Sequence, residues 1–203
     1  MKIDPNWAPI PGETPIDDVS GLLLPDIGTR RQLNQVEAEN IAVAAAKYLV
    51  GRLSEEEAPF TFDWFFELHR EMFGRVWGWA GKPRNHNLNL GCKFYDVEAN
   101  VLDLVRTIPY WGKGNAQQLL KDAALLHYRS VTIHPFINGN GRWARLLANI
   151  WLRKQKQKPV MWPEPEIGHL SPIRNEYLEA IRLADMGNLG PFTDLHLRYA
   201  FGS

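Results

Sequence analysis

The clearest apolar stripe in the chain is Trp143, Leu146, Leu147, Ile150 and Trp151, spaced so that all five fall on one face of an α-helix. A helix of this kind has to bury that face against others, so the spacing predicts the central helix of a mainly α domain. Immediately before it stands HPFINGNGRWAR, His134 to Arg145, where an imidazole, two glycines and two arginines crowd a helix start.

The rest of the chain supplies the surrounding helices. Thr29 precedes Gln32 by three residues, as in a capping box, and Leu33, Ile41, Ala44, Ala45, Tyr48 and Leu49 then hold helical spacing up to Gly51. On the other side Glu39 shares a stripe with Ala42, Val43 and Ala46, where the alanines permit close approach by another element. Phe62, Phe65, Phe66, Leu68, Met72 and Phe73 mark a second helix that Gly74 closes. Val97, Val101, Leu104, Val105 and Ile108 mark a third, and Leu119, Leu120, Ala123 and Leu126 a fourth that runs toward His134. Ser171 and Pro172 open a further helix carried by Ile173, Tyr177, Ala180, Ile181 and Ala184, and the last follows Pro191. Between Trp77 and Phe94, WGWAGKPR and then HNLNLGCKF alternate around glycine and proline, the pattern of a short two-stranded flap. Residues 1–28, rich in proline, glycine and acids, read as an extended arm lying along a domain that spans 29–203. Arg153, Lys154, Lys156 and Lys158 fall at the C-terminal end of the central helix, where positive charge complements the helix dipole.

Composition narrows the classes. Lysine plus arginine balance aspartate plus glutamate at 23 each, so binding to nucleic acid through a broad basic surface is not favoured. No apolar run approaches the length of a membrane span, and the N-terminus lacks the basic and apolar regions of an export signal, so the expected location is cytoplasmic. Cys92 is the only cysteine, which removes a disulfide framework and any cysteine-based zinc cluster.

The stretch from His134 to Arg145 carries the chemistry of a phosphate site. Gly139 and Gly141 free the main chain to turn its N–H groups toward one point, and the helix that begins there adds its positive end. Arg142 and Arg145, three apart in the first turn, present guanidinium forks that match phosphate oxygens. Asn138 and Asn140 add neutral polar groups, one of which could offer a carbonyl oxygen to a hard cation. His134, outside the glycine loop, could take a proton from an incoming hydroxyl. The pattern fits neither the P-loop, which needs a lysine after its second glycine, nor the G-x-G-x-x-G dinucleotide turn. A different nucleotide fold is implied.

At these residues the chain resembles the Fic family, whose motif reads HPFx(D/E)GNGRxxR, with agreement at His134, Pro135, Phe136, Gly139, Asn140, Gly141, Arg142 and Arg145. The resemblance extends to WAGKPR and to NEYLEAIRLADMGNLGPF, covering a core of about 60–197, and TRRQLNQVEAENIA looks like the subgroup that includes proteins called mobile mystery protein B. It implies a Fic-like helical bundle that moves AMP from ATP to a Ser, Thr or Tyr hydroxyl of a target protein. It also implies roles: His134 as general base, Gly139, Asn140 and Gly141 as the amide cradle, and Arg142 and Arg145 as ligands of the outer phosphates. The flap residues Leu88, Asn89, Leu90, Gly91 and Phe94 would align a target segment, and Tyr177 and Asp185 would line the base pocket. The family's acid before GNG holds Mg²⁺ (or Mn²⁺), and here that position is Asn138, which brings no charge. Members often carry an inhibitory (S/T)xxxE(G/N) segment; Glu39-Asn40 within 29–52 fits its end, with Gln35 in place of the Ser or Thr, so Glu39 would set against Arg145.

Three functions remain open at this point. One is a protein adenylyltransferase, restrained by Glu39 and acting with or without a homo-oligomer or regulatory partner. Another keeps the fold as a nucleotide-binding regulatory module that turns over little, or transfers a different nucleotide or phosphate group, because of Asn138. A metal-dependent nuclease using His134 and Asn138 is opposed by the neutral charge and the lack of clustered acids.

Overall fold

The computed structural model describes residues 19, 21–51, 53–168 and 171–201. They form a bundle of helices with no strand among them: α1 Arg30–Leu49, α2 Phe62–Phe73, α3 Val97–Thr107, α4 Ala116–Ile133, α5 Asn140–Lys154, α6 Glu164–Gly168, α7 Pro172–Asp185 and α8 Gly190–Phe201. Short 3₁₀ turns lie at Phe94–Asp96 and Ile108–Tyr110. None of these helices is long and apolar enough to cross a membrane.

α5 is central, as its stripe predicts. Trp143, Leu147, Ile150, Trp151 and Leu152 are all buried, and α5 packs against α4, α1 and α2. The indole of Trp143 meets Phe65 and Phe136 edge-on, at ring distances of 5.8 and 5.1 Å, and donates its N–H to the Phe65 carbonyl. That hydrogen bond lets so large a ring sit in the interior without leaving its polar atom stranded. At the far end of α5, Lys154 bonds Glu55 and the Ala58 carbonyl while Arg153 bonds the Gly51 carbonyl. The basic run thus ties down the α1–α2 connection.

The helix starts follow local chemistry. Thr29 accepts from the Gln32 N–H while Gln32 reaches back to the Thr29 N–H, completing the capping box of α1. Thr61, Asn115 and Ser171 cap α2, α4 and α7 in the same way. Of the arm expected over 1–28, residues 1–18 and 20 lie outside the described residues. Its described end, Gly21 to Leu24, runs beside Val76 to Gly78, with main-chain bonds from Leu23 to Val76 and from Gly78 to Gly21.

No strand occurs among the described residues of the expected flap, 77–94. Arg84, buried at 2% exposure, places its guanidinium among the main-chain carbonyls of His86, Cys92 and His134. Those of His86 and Cys92 are spent on one side chain, so the segment winds around Arg84 as an irregular loop.

Candidate active site

Helices α4 and α5 meet at the motif, and the turn between them sets its geometry. His134 caps α4 in the left-handed region, φ 52° and ψ 59°, a conformation uncommon outside glycine, and is held there by the bond from Arg84 Nε to its carbonyl at 2.7 Å. The ring is 7% exposed and lines a cleft of about 610 Å³ between α1, α5 and the 160–178 segment. Burial pushes its pKa down to about 4, against a hydrogen bond with the Val131 main chain and with help from the nearby Arg84 charge. At neutral pH the imidazole is therefore uncharged and able to accept a proton.

The glycine loop is braced from inside. The Asn140 side chain accepts from the Phe136 N–H and donates to the Phe136 carbonyl, both at 2.9 Å, so it closes the loop and leaves only its main chain for a ligand. Gly139 has φ +80°, and a Cβ there would lie 2.6 Å from Phe73 Cζ, so both conformation and space require glycine. Gly141 sits beneath Arg145 Nη1 and the Tyr177 hydroxyl.

His69 holds the loop from behind. The Gly81 N–H donates to its Nδ1 at 3.0 Å, so the proton must be on Nε2, which donates to the Asn138 carbonyl at 3.0 Å. Complete burial drives its pKa to about 3, and the ring stacks on Phe136 at 3.6 Å. Asn138 also turns its own side chain inward. Its Oδ1 accepts from the Gly139 N–H at 2.5 Å, so the oxygen expected to face a cation closes a turn.

Both motif arginines have carboxylate partners, and neither partner is Glu39. Arg142 Nη1 donates to Glu37 Oε2 at 2.6 Å, and the other Glu37 oxygen accepts from Trp77 Nε1 at 2.6 Å. Arg145 grips Glu164 of α6 with Nε and Nη2, at 2.6 and 2.5 Å. Burial works against the Arg145 charge, but the Glu164 carboxylate and the Tyr177 hydroxyl outweigh it and hold the guanidinium protonated more firmly than usual. Glu39 is exposed and accepts from Gln35 Nε2 at 3.3 Å. The expected contact with Arg145 is thus corrected by helix geometry: two residues is about 200° of turn, so burying Glu37 beside Leu33, Asn40 and Ala44 sends Glu39 to solvent.

Tyr177 reaches the cleft, 6% exposed, and its ring lies 5.8 Å from the Arg145 guanidinium. Asp185 does not: it is exposed and accepts from the Tyr128 hydroxyl at 2.9 Å, because the end of α7 runs past the cleft. Of the flap residues, Leu90 and Phe94 expose apolar side chains, and Gly91 presses on the turn at His134, where a Cβ would lie 2.4 Å from His134 Cβ. The sequence signalled His134, the loop and the arginines, but not Glu37, Glu164, His69 or Arg84. Arg84, within WAGKPR, and Glu37, within TRRQLNQVEAENIA, lay in segments already singled out.

Comparison with known proteins agrees with this geometry. Residues 59–152 match the Fic/DOC family. Protein adenylyltransferase fic-1 of Caenorhabditis briggsae is 32% identical over 179 residues, covering 85% of this chain and 33% of that protein. Protein adenylyltransferase Fic of Drosophila yakuba is 32% identical over 152 residues, covering 73% and 29%. The chain thus spans about a third of the length of these curated relatives. Among solved structures, Fic-1 (residues 134–508) of C. elegans superposes with a TM-score of 0.66 at 26% identity, over 89% of this chain and 52% of that one. BepC of Bartonella tribocorum, solved with bound AMPPNP, gives 0.64 at 17% identity over 84% and 87%, a likeness of fold alone. From the motif, the helical architecture and these matches together, this chain carries a Fic/DOC family domain.

Proposed function

We propose that the chain is a protein adenylyltransferase, moving AMP from ATP to a hydroxyl side chain of another protein. The observation that carries this reading is an uncharged, buried His134 on the wall of a cleft whose floor is a glycine loop at a helix N-terminus flanked by Arg142 and Arg145. In the transfer, His134 takes the proton of the incoming hydroxyl as its oxygen bonds to the α-phosphorus. The bond from that phosphorus to the bridging oxygen breaks, and pyrophosphate leaves. The main-chain N–H groups at Asn140 and Gly141 cradle the transferred phosphate, that of Gly139 joins them once Asn138 Oδ1 releases it, and the two arginines offset charge on the leaving group. Tyr177 forms part of the nucleotide wall. Leu90 and Phe94, exposed on the loop whose Gly91 abuts His134, are the side chains a target segment would meet.

The Mg²⁺ or Mn²⁺ expected from the resemblance does not fit the donor set. Asn138 is neutral, and its Oδ1 accepts from Gly139. Glu37 and Glu164 are engaged by arginines, and no group of three His, Cys, Asp or Glu suited to a metal occurs among the described residues.

The alternative is a module that binds nucleotide but turns over little, with the neutral Asn138 in place of an acid as its cause. The two readings separate on ATP labelled at the α-phosphate: label entering protein in a lysate, and lost in His134→Ala, supports the transferase. Nucleotide binding with no label transferred supports the module.

A further inference from the structure

Behind the cleft lies a buried row of hydrogen bonds that the transfer does not use. His196 Nδ1 is 2.9 Å from the Phe192 carbonyl, His196 Nε2 is 3.2 Å from His127 Nδ1, and His127 Nε2 is 2.9 Å from the Tyr177 hydroxyl. Both histidines are 0% exposed, and burial pushes both pKa values down, His196 to about 4 and His127 well below the ordinary range. Each therefore carries a single ring proton at neutral pH, and its position can be deduced. A carbonyl only accepts, so His196 Nδ1 bears the proton and His196 Nε2 accepts. His127 Nδ1 must then donate, which leaves His127 Nε2 an acceptor. The one remaining donor is the Tyr177 hydroxyl, whose proton is committed to His127. What Tyr177 presents to the cleft is its oxygen lone pairs.

Those lone pairs face Arg145. The Tyr177 oxygen and Arg145 Nη1 both lie over Gly141, 4.0 and 3.5 Å from the place of a Cβ there, the guanidinium carbon is 5.8 Å from the Tyr177 ring centre, and the nearby hydroxyl helps to hold the Arg145 charge. Nη1 is also the guanidinium nitrogen that Glu164 leaves alone, since Glu164 takes Nε and Nη2. The two partners of Arg145 differ in permanence. The Glu164 side chain is 50% exposed and can be exchanged for a phosphate, whereas Tyr177 is buried and fixed from behind.

We propose that His196 and His127 are positioning residues that hold Tyr177 as a one-way acceptor, so that Arg145 stays aligned while its Glu164 contact is exchanged for the outer phosphates of the nucleotide. A hydroxyl free to rotate would spend part of its time directing its proton at the guanidinium, and the arginine would lose its second anchor. The role rests on the nucleotide reading above and predicts a ligand-specific effect: it concerns ATP, whose outer phosphates reach Arg145, and not AMP, which lacks them.

The test is the affinity of the full chain for ATP and for AMP, by calorimetry, in Tyr177→Phe, His127→Leu and His127→Gln. Glutamine matters because its amide can accept from Tyr177 and donate to His196, as the imidazole does. Tyr177→Phe and His127→Leu should each weaken ATP roughly 5- to 10-fold, about one hydrogen bond to a charged group, with AMP changed less than about 2-fold. The double variant should be no worse than either single one, and His127→Gln should retain most of the ATP affinity. Equal losses for ATP and AMP, additive losses in the double variant, or a His127→Gln protein as impaired as His127→Leu would overturn the proposal. Should His127→Leu fail to fold, Tyr177→Phe and His127→Gln still decide. A wild-type chain that binds neither nucleotide would instead sink the transferase reading, and this proposal with it.

Discussion

Glu37 supplies the sharpest test of how α1 is attached to the motif helix. Its carboxylate is 2% exposed and makes two contacts: Oε1 accepts from Trp77 Nε1 and Oε2 from Arg142 Nη1, both at 2.6 Å. In Glu37→Ala the indole N–H, inside the protein on a ring 1% exposed, loses its acceptor, which costs roughly 1–3 kcal/mol. Arg142 also loses its counter-charge, but its side chain is 29% exposed and water can replace part of the contact, so this adds about 1 kcal/mol rather than the 3–5 of a fully buried pair. The sum is about 3 kcal/mol. Glu37→Gln keeps an oxygen for Trp77 and loses the charge and the acceptor for Arg142, so it should cost about half as much. Urea unfolding monitored by tryptophan fluorescence would measure both, with an unchanged m-value as the check that the unfolded state is the same. A loss below about 0.5 kcal/mol for Glu37→Ala, or equal losses for the two variants, would refute the assignment of Glu37 as a buried strap.

Three further outcomes follow from the site. Glu164→Gln removes the charge that a phosphate must displace from Arg145; because Glu164 is half exposed the gain is modest, about 5- to 10-fold tighter ATP binding by calorimetry, and unchanged or weaker binding would contradict it. Gly91→Ala puts a Cβ where His134 Cβ stands, at φ +93°, so labelled transfer to protein should fall at least roughly 10-fold with ATP affinity within about 3-fold; transfer at the wild-type rate would remove the loop from the mechanism. Stability should fall in acid. His69, His134 and His196 have folded pKa values of about 3, 4 and 4 against an ordinary 6.5, so the unfolded chain binds more protons between those limits. Their contribution is complete above pH 6.5 and lost as pH drops toward 4, by up to about 1.4 kcal/mol per unit for each, and a urea midpoint constant from pH 7 to pH 5 would show the rings are not held neutral.

What the sequence revealed divides by the range of the interactions concerned. Caps and helix faces are local: Thr29 with Gln32 and Ser171 with Pro172 sit next to the N–H groups they satisfy, and the helices begin where those residues predict. On α1 the stripe of Leu33, Ile41 and Ala44 passes through Glu37 and not Glu39, but the partner that fastens Glu37, Trp77, lies forty residues away and leaves no local signal. The strands of the flap are absent from the described residues for the same reason. Its alternation predicts strands, but Arg84 reaches across to the His86, Cys92 and His134 carbonyls, and a buried guanidinium outcompetes a marginal two-stranded ladder. Glu164 had no local signal at all, lying between Pro163 and Pro165, nineteen positions from the arginine it holds.

The two arginine–glutamate pairs are alike in chemistry and opposite in consequence. Glu37 is enclosed and its second oxygen belongs to Trp77, so no anion can exchange with it without unfastening α1, which forms one wall of the cleft. Arg142 gives that strap one nitrogen, Nη1, and can serve the structure and a phosphate together, because a guanidinium has five N–H donors. Arg145 is the reverse case, itself 5% exposed and gripped by a carboxylate that is half in water. A phosphate arriving in the cleft therefore replaces Glu164 and leaves Glu37 in place. On the nucleotide reading proposed above, the charge offered to a polyphosphate is released only where the partner can leave, and the partner that cannot leave keeps the cleft in shape.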